Sequence, residues 1–210
     1  MDMTGRIWQL WYVLIMVALQ AGCVPSSRSP GTPMNISILI IPIGNPKLED
    51  LEYLKKELGD KFGDCTVGNK IEMPPEAYNP SREQYMSDIL LQCLSKIRPG
   101  IAAEARILGV AEEDLYSPGL NFVFGQAQFG GRCAVISLKR LDPAFYGMTP
   151  DEKIYRLRMV KEAVHELGHV LGIEHCPDRR CVMHFSNSLR DTDVKGDWFC
   201  GQCLAKFGKR

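Results

Sequence analysis

The period of the hydrophobic positions changes several times along the chain. From Asn35 to Ile43 they form an almost unbroken β-branched and aliphatic run, closed by Pro42 and Gly44, which predicts a central strand covered on both faces. Over Pro46 to Phe62, Leu48, Leu51, Leu54 and Leu58 recur at helical spacing with charges between them. This predicts an amphipathic helix laid on that strand, and so the start of an α/β layer. A second helical pattern runs from about Ser81 to Ile97 and stops at Pro99-Gly100, and a weaker third precedes Gly109. Leu120 to Phe124 and Arg132 to Leu138, separated by Gly125 and Gly130-Gly131, read as a strand, a loop and a returning strand. Thr149-Pro150-Asp151-Glu152 predicts a helix start with Thr149 as cap, Pro150 at the first helical position and Glu152 completing a capping box. Ile154, Leu157, Val160, Val164, Leu167 and Leu171 continue that helix as an apolar stripe, and Gly172 stops it.

The amino terminus follows other rules. Arg6 precedes the apolar run Ile7 to Leu19, broken only by Gln9, and small residues and Cys23 follow, so residues 1–22 read as an export signal. Leu19-Gln20-Ala21-Gly22-Cys23 resembles the processing site of bacterial lipoproteins, in which the cysteine is lipidated; Gln20 departs from it, an aliphatic residue being usual there. The expectation is an exported protein, tethered to a membrane of a bacterial envelope through lipid on Cys23. A plain secretory signal, an uncleaved anchor reaching Val24 and a cytoplasmic location are the alternatives. Residues 23–34, rich in Ser, Pro, Gly and Arg, read as a tether, and residues 35–210 as one domain without internal repeats. Composition adds one exclusion. Twenty-five basic residues balance 25 acidic ones, so no net field gathers nucleic acid. A monomer is expected.

The chemistry is concentrated near the carboxy terminus. His165-Glu166-Leu167-Gly168-His169 falls in the last turns of the capped helix. Histidines four apart share a helix face, so both imidazoles can reach one metal at ~2.0 Å. Glu166, roughly a quarter turn round the helix, stays out of the ligand set but near a metal-bound water. Gly172 lets the chain leave the helix with a backbone angle other residues resist, and His175 can return as third ligand. Three neutral nitrogens and one open position suit a catalytic rather than a structural zinc. A chance match on a surface helix is the alternative for the five-residue motif alone, but His165, His169, His175 and His184, all the histidines present, fall in one twenty-residue stretch. The extended pattern H-E-x-x-H-x-x-G-x-x-H is the metzincin signature, which continues to a methionine in a turn beneath the metal. Met183 is the candidate, with His184 as a neighbour of the turn and not a ligand.

Eight cysteines are present, and four of them follow the histidines as Cys176-x4-Cys181 and Cys200-x2-Cys203. That spacing suits tetrahedral thiolate zinc, with two disulfides as the reading that an oxidising compartment favours. Cys65, Cys93 and Cys133 lie in apolar surroundings and are expected to be buried thiols, a disulfide among them being the export-dependent alternative.

Together, His165 through His175, Cys176, Cys181, Val182, Met183 and Cys200-Gly-Gln-Cys203 resemble the archaemetzincin branch of the metzincins, and Leu120 to Gly125 and Val135 to Leu141 are similar to its middle region. The interval from Met183 to Cys200 is one residue shorter than usual in that family. The resemblance implies an α/β (α+β) fold: a compact metzincin-like domain with a twisted mixed sheet, backing helices, an active-site helix and a cysteine-rich carboxy-terminal subdomain. It also implies two Zn2+ ions, a catalytic one on His165, His169 and His175 and a structural one on the four cysteines. The strand after Gly131 is expected to form the upper rim of a cleft and to pair with an extended peptide.

The function expected is hydrolysis of peptide bonds in a peptide or protein substrate by a zinc-bound water, with Glu166 as general base. Some metzincins place an oxyanion-assisting tyrosine two residues after the turn methionine. Here that residue is Phe185, which leaves Tyr146 and Tyr155 as candidates from elsewhere. The alternatives are a zinc-binding scaffold without turnover and a hydrolase of a non-peptide amide.

Overall fold

The structure, a computed structural model, describes residues 33–98 and 104–207. The expected export signal, the lipidation candidate Cys23, most of the tether and the Pro99-Gly100 helix stop lie outside the described residues. In chain order the elements are β1 (Ile38–Ile43), α1 (Leu48–Phe62), β2 (Cys65–Val67), β3 (Tyr78–Asn79), β4 (Gln84–Met86), α2 (Ser87–Ser95), β5 (Arg106–Ala111), β6 (Leu115–Tyr116), β7 (Gly125–Ala127), β8 (Cys133–Ser137), α3 (Glu152–Val170), α4 (Leu189–Val194) and α5 (Gly201–Phe207). The main sheet has the order β2-β1-β5-β8-β7; its first four strands are parallel and β7 runs antiparallel to β8 at the edge. A smaller sheet has the order β3-β4-β6. The fold is therefore the mixed α/β one expected.

The continuous apolar run of β1 follows from its position between β2 and β5. Ile38 and Ile40 face one core, with Leu51, Leu54, Leu58 and Phe62 of α1 and Met159, Val160, Ala163 and Val164 of α3. Ile41 and Ile43 face the other, with Leu90, Leu91 and Leu94 of α2. A strand with helices on both sides has no face left for polar residues. Among the described residues no helix is long and apolar enough to cross a membrane.

Four local expectations are corrected. The weak helical pattern before Gly109 is the strand β5, because Arg106 to Ala111 pair in register with β1, and Ile107 to Ala111 also with β8. Parallel ladders on both sides override a marginal helical spacing. Only Ser87–Ser95 of the second pattern is helical; Asn79 and Gln84 pair across a hairpin and Tyr85-Met86 join β6. Leu120 to Phe124 form a loop that keeps one antiparallel bridge, Val123 to Leu115. The carbonyls of Leu120 and Asn121 accept from Arg82 Nη2 at 2.9 and 2.7 Å, so side chains take what a ladder would use, and strand β7 begins at Gly125. The cap of α3 is Asp151, whose carboxylate accepts from the Ile154 amide at 3.0 Å, not Thr149. Helix α3 does end as expected, in a Schellman turn: Gly172 N–H donates to His169 O (2.8 Å) and Ile173 N–H to Gly168 O (2.9 Å), with Gly172 at φ +77°.

Gly109 leaves room for side chains of α2 and β1: a Cβ there would lie 2.7 Å from Leu94 Cδ1 and 2.8 Å from Ile43 Cδ1. Gly109→Val should cost about 1–3 kcal/mol by overpacking, read as a lower urea midpoint with unchanged slope; an unchanged midpoint would contradict this packing.

Candidate metal centre

Three imidazoles meet at the carboxy-terminal end of α3. His169 Nε2 lies 3.2 Å from His165 Nε2 and 3.2 Å from His175 Nε2. His165 Nδ1 is 2.8 Å from Val182 O and His169 Nδ1 is 2.8 Å from Ile173 O. A carbonyl only accepts, so in both rings Nδ1 carries the hydrogen and Nε2 presents a bare lone pair to the common point. Lone pairs that close repel one another unless a cation lies between them. Nitrogens at ~2.0 Å from a tetrahedral zinc are ~3.3 Å apart, close to the spacing here. Burial holds all three rings in this neutral form: it drives His165 well below its ordinary value, His169 down to about 4 and His175 downward, with the positive charge of Lys195 acting in the same direction on each.

Glu166 is buried beside these ligands, and burial, reinforced by the nearby Glu162 carboxylate and opposed by Lys195, pushes its carboxyl up to about 8. Its position depends on Gly125, the first residue of β7. A Cβ on Gly125 would lie 2.6 Å from Glu166 Cγ and 2.8 Å from Oε1. Gly168, in the middle of the histidine motif, performs a similar service beneath the site. Any Cβ there would collide with Met183 Sδ and lie 2.8 Å from Phe199 Cε1, so glycine lets the buried Met183 turn close against α3. In that turn Cys176 N–H donates to Met183 O (2.9 Å) and His184 N–H to Cys181 O (3.0 Å). His184 Nδ1 contacts Cys176 O at 3.0 Å, so His184 braces the turn, outside the group of converging histidines.

Immediately after the third histidine, Cys176, Cys181, Cys200 and Cys203 gather their sulfurs. Cys176 Sγ and Cys200 Sγ are 3.8 Å apart, and Cys181 Sγ and Cys203 Sγ are 3.7 Å apart. A disulfide requires ~2.05 Å, whereas thiolates ~2.3 Å from a tetrahedral zinc are ~3.8 Å apart. These cysteines are free, as are Cys65, Cys93 and Cys133, so the disulfide alternatives are set aside for the described cysteines. Burial, reinforced by the neighbouring sulfurs, raises the Cys203 thiol, and burial raises Cys181. The raised Cys181 and Cys203 thiols would need a compensating cation to shed their protons.

A polar staple holds this carboxy-terminal segment to α3. Arg158 grips Asp193 with two bonds of 2.7 and 2.9 Å, Lys161 Nζ donates to the carbonyls of Thr192 and Asp193 at 2.9 Å each, and Glu162 Oε1 accepts from Thr192 Oγ1 and pairs with Lys195 Nζ, both at 3.0 Å. Lys195 and Glu162 are almost wholly enclosed. No pattern in the sequence signals this pairing, because its partners lie more than thirty residues apart; Gly125 and Gly168 are visible there only as a loop residue and as a variable place in the motif.

The site opens into a cleft of about 580 Å³, walled by α3, the loop 120–124, β7 and the segment Phe185–Asn187. Strand β8 is paired on both sides, so the expected rim strand after Gly131 is corrected to β7. Ser137 N–H donates to Phe124 O and Gln128 N–H to Cys133 O. By the alternation of an antiparallel ladder, Gly125 and Ala127 therefore turn their peptide groups outward, along the free edge. No tyrosine lines the cleft among the described residues. Tyr155 donates to Asp50 at 3.0 Å and Tyr146 stacks edge-on to Phe145, so neither oxyanion candidate reaches the site.

An α/β sheet whose antiparallel edge strand lies beside a helix with two of three convergent histidines, over a methionine turn, defines a zinc metallopeptidase. The chain belongs to peptidase family M54, whose model matches residues 64–209, and within it to the archaemetzincins. It is 47% identical over 178 residues to the archaemetzincin of Methanocaldococcus jannaschii, covering 84% of this chain and 96% of that protein, and 45% identical over 183 residues to that of Pyrococcus furiosus, covering 84% and 95%. Among solved structures, the archaemetzincin of Archaeoglobus fulgidus complexed with malonate is similar at 41% identity with a TM-score of 0.71, over 81% of this chain and 99% of that one. A zinc-dependent peptidase from Methanocorpusculum labreanum is similar at 28% identity with a TM-score of 0.73, over the same shares.

His175 and Cys176 share a peptide bond, so the two metal-type sites are mechanically joined. Cys176→Ser should weaken zinc binding at the three histidines by at least tenfold, measured by competition with a chromophoric chelator; unchanged affinity there would defeat the coupling.

Proposed function

We propose that the protein hydrolyses peptide bonds, with His165, His169 and His175 holding a catalytic zinc, Glu166 as general base and Cys176, Cys181, Cys200 and Cys203 holding a second, structural zinc. The observation that carries this reading is the meeting of three histidine Nε2 atoms, a buried carboxyl and the free edge of β7 in one cleft. A zinc held there lowers the pKa of water and polarises a carbonyl. The chain's own residues do the rest. The outward peptide groups of Gly125 and Ala127 extend the sheet by one strand of substrate. Glu166, its carboxyl enclosed beside the histidines, takes a proton from the attacking water and returns it to the departing amine. Among the described residues no tyrosine lines the cleft, so main-chain donors would assist the oxyanion.

The test is digestion of a peptide library by the zinc-loaded protein and by its Glu166→Gln variant. The expected result is cleavage by the first, a loss of about 10²–10⁴-fold in the second, and equal zinc content in both. Silence from both favours a zinc-binding scaffold, and cleavage of acylated amines but not of peptides favours a non-peptide amidase.

We further propose that residues 1–22 direct export, that Cys23 carries lipid and that the protein acts as a membrane-tethered monomer; the support is the Ala21-Gly22-Cys23 sequence after the apolar run. Mass spectrometry of the mature amino terminus should find a diacylated Cys23, and an intact Met1 or an unmodified Cys23 would refute the tether.

A further inference from the structure

Two phenylalanines that the proposed chemistry does not use stand exposed at the metal centre. Phe129, in the turn between β7 and β8, is 59% exposed with its ring 6.3 Å from that of His169; Phe185, two residues past Met183, is 48% exposed with its ring 4.9 Å from that of His175. Neither belongs to the two apolar cores or to the partly buried residues packed against them. Both line the cleft. Leu120, 51% exposed, and the edge-to-face pair Phe122 and Phe124, 5.1 Å between centroids, continue the same apolar wall.

The carboxylates of the cleft are already engaged: Glu162 is bound by Thr192 and Lys195, and Glu166 is assigned to the water. Beside the histidines and the uncharged polar side chains of Ser117, Asn121, Gln126, Ser186 and Asn187, what the cleft offers an incoming side chain is apolar, largely aromatic surface with no free charge. A peptide laid along β7 with its carbonyl at the histidines brings the side chains flanking the scissile bond within reach of these rings. A large apolar side chain would remove its own surface and a phenylalanine face from water together, whereas a charged one would lose hydration without gaining a partner. We infer that Phe129 and Phe185 form a two-sided aromatic grip that selects peptides with large apolar or aromatic residues next to the cleaved bond. This rests on the peptidase reading above.

The experiment compares kcat/KM for three internally quenched peptides that differ only at the two residues flanking one cleavable bond, carrying Phe, Gly or Asp there, using the zinc-loaded full chain and its Phe129→Ser and Phe185→Ser variants. The expected result is a preference for the Phe peptide over the Gly peptide of at least ~10-fold, a larger one over the Asp peptide, and a severalfold fall of the Phe-to-Gly ratio in each variant. Because the ratio is read within one protein preparation, a general loss of folding or zinc in a variant does not alter it. Cleavage by the wild type without preference overturns the grip and leaves the peptidase standing, as does a preference that both variants retain. No cleavage of any of the three, nor of the peptide library, overturns the peptidase reading and the grip with it.

Discussion

Three imidazole Nε2 atoms lie 3.2 Å apart along the two contacts through His169, and the surrounding chain is arranged to keep them there. Two of the rings are held from behind, by the carbonyls of Val182 and Ile173. Both carbonyls lie in the segment that follows α3, not in the helix that carries His165 and His169. The helix alone therefore places two ligands on one face, but the chain beyond Gly172 decides how their rings are turned. A cation at their common point would engage all three rings at once, and metal binding and folding are coupled in sites of this kind.

The same segment adds Ile173, Val182, Met183 and Phe199 to the main core and is fastened by polar contacts as well. Helix α4 and Lys195 are held to the back of α3 by Arg158, Lys161 and Glu162, and α5 brings Cys200 and Cys203 to Cys176 and Cys181. Breaking one partner of an enclosed ion pair such as Glu162 with Lys195 strands the other charge, so the pair specifies one docking position more than it adds net stability. Phe199, pressed on Gly168 beneath the histidine motif, joins the cysteine cluster to the main core. The histidine centre and the cysteine centre are thus two ends of one braced segment, meeting at the His175-Cys176 bond.

On the other side of the site the constraint is closeness. Glu166 can lie against β7 because residue 125 has no side chain, and β7 can present a free edge because β8 takes its partners from β5 on one side and β7 on the other. The cleft thereby combines a free sheet edge with exposed aromatic rings; under the proposed function the first would bind an extended peptide through its main chain and the second would respond to side chains.

The sequence by itself determined the elements whose evidence is local. The apolar run of β1, the leucine spacing of α1, the motif His165 to His175, the stop at Gly172 and the cysteine pairs are all readable within one or two turns of chain, because ligand spacing and helix periodicity are short-range geometry. The mixed α/β class and the gathering of the three histidines and of the four cysteines followed from these. Only the tertiary structure decided that Gly109 lies in a strand, since two flanking ladders outweigh a weak helical pattern, and that Leu120 to Phe124 form a loop, since Arg82 and Gln84 reach across from another hairpin to take their carbonyls. It also decided that β7 and not β8 is the rim, that Gly125 makes room for Glu166, and that Lys195 meets Glu162. Each of these depends on atoms brought together across tens of residues by packing, and a linear pattern carries no record of which distant surface will arrive.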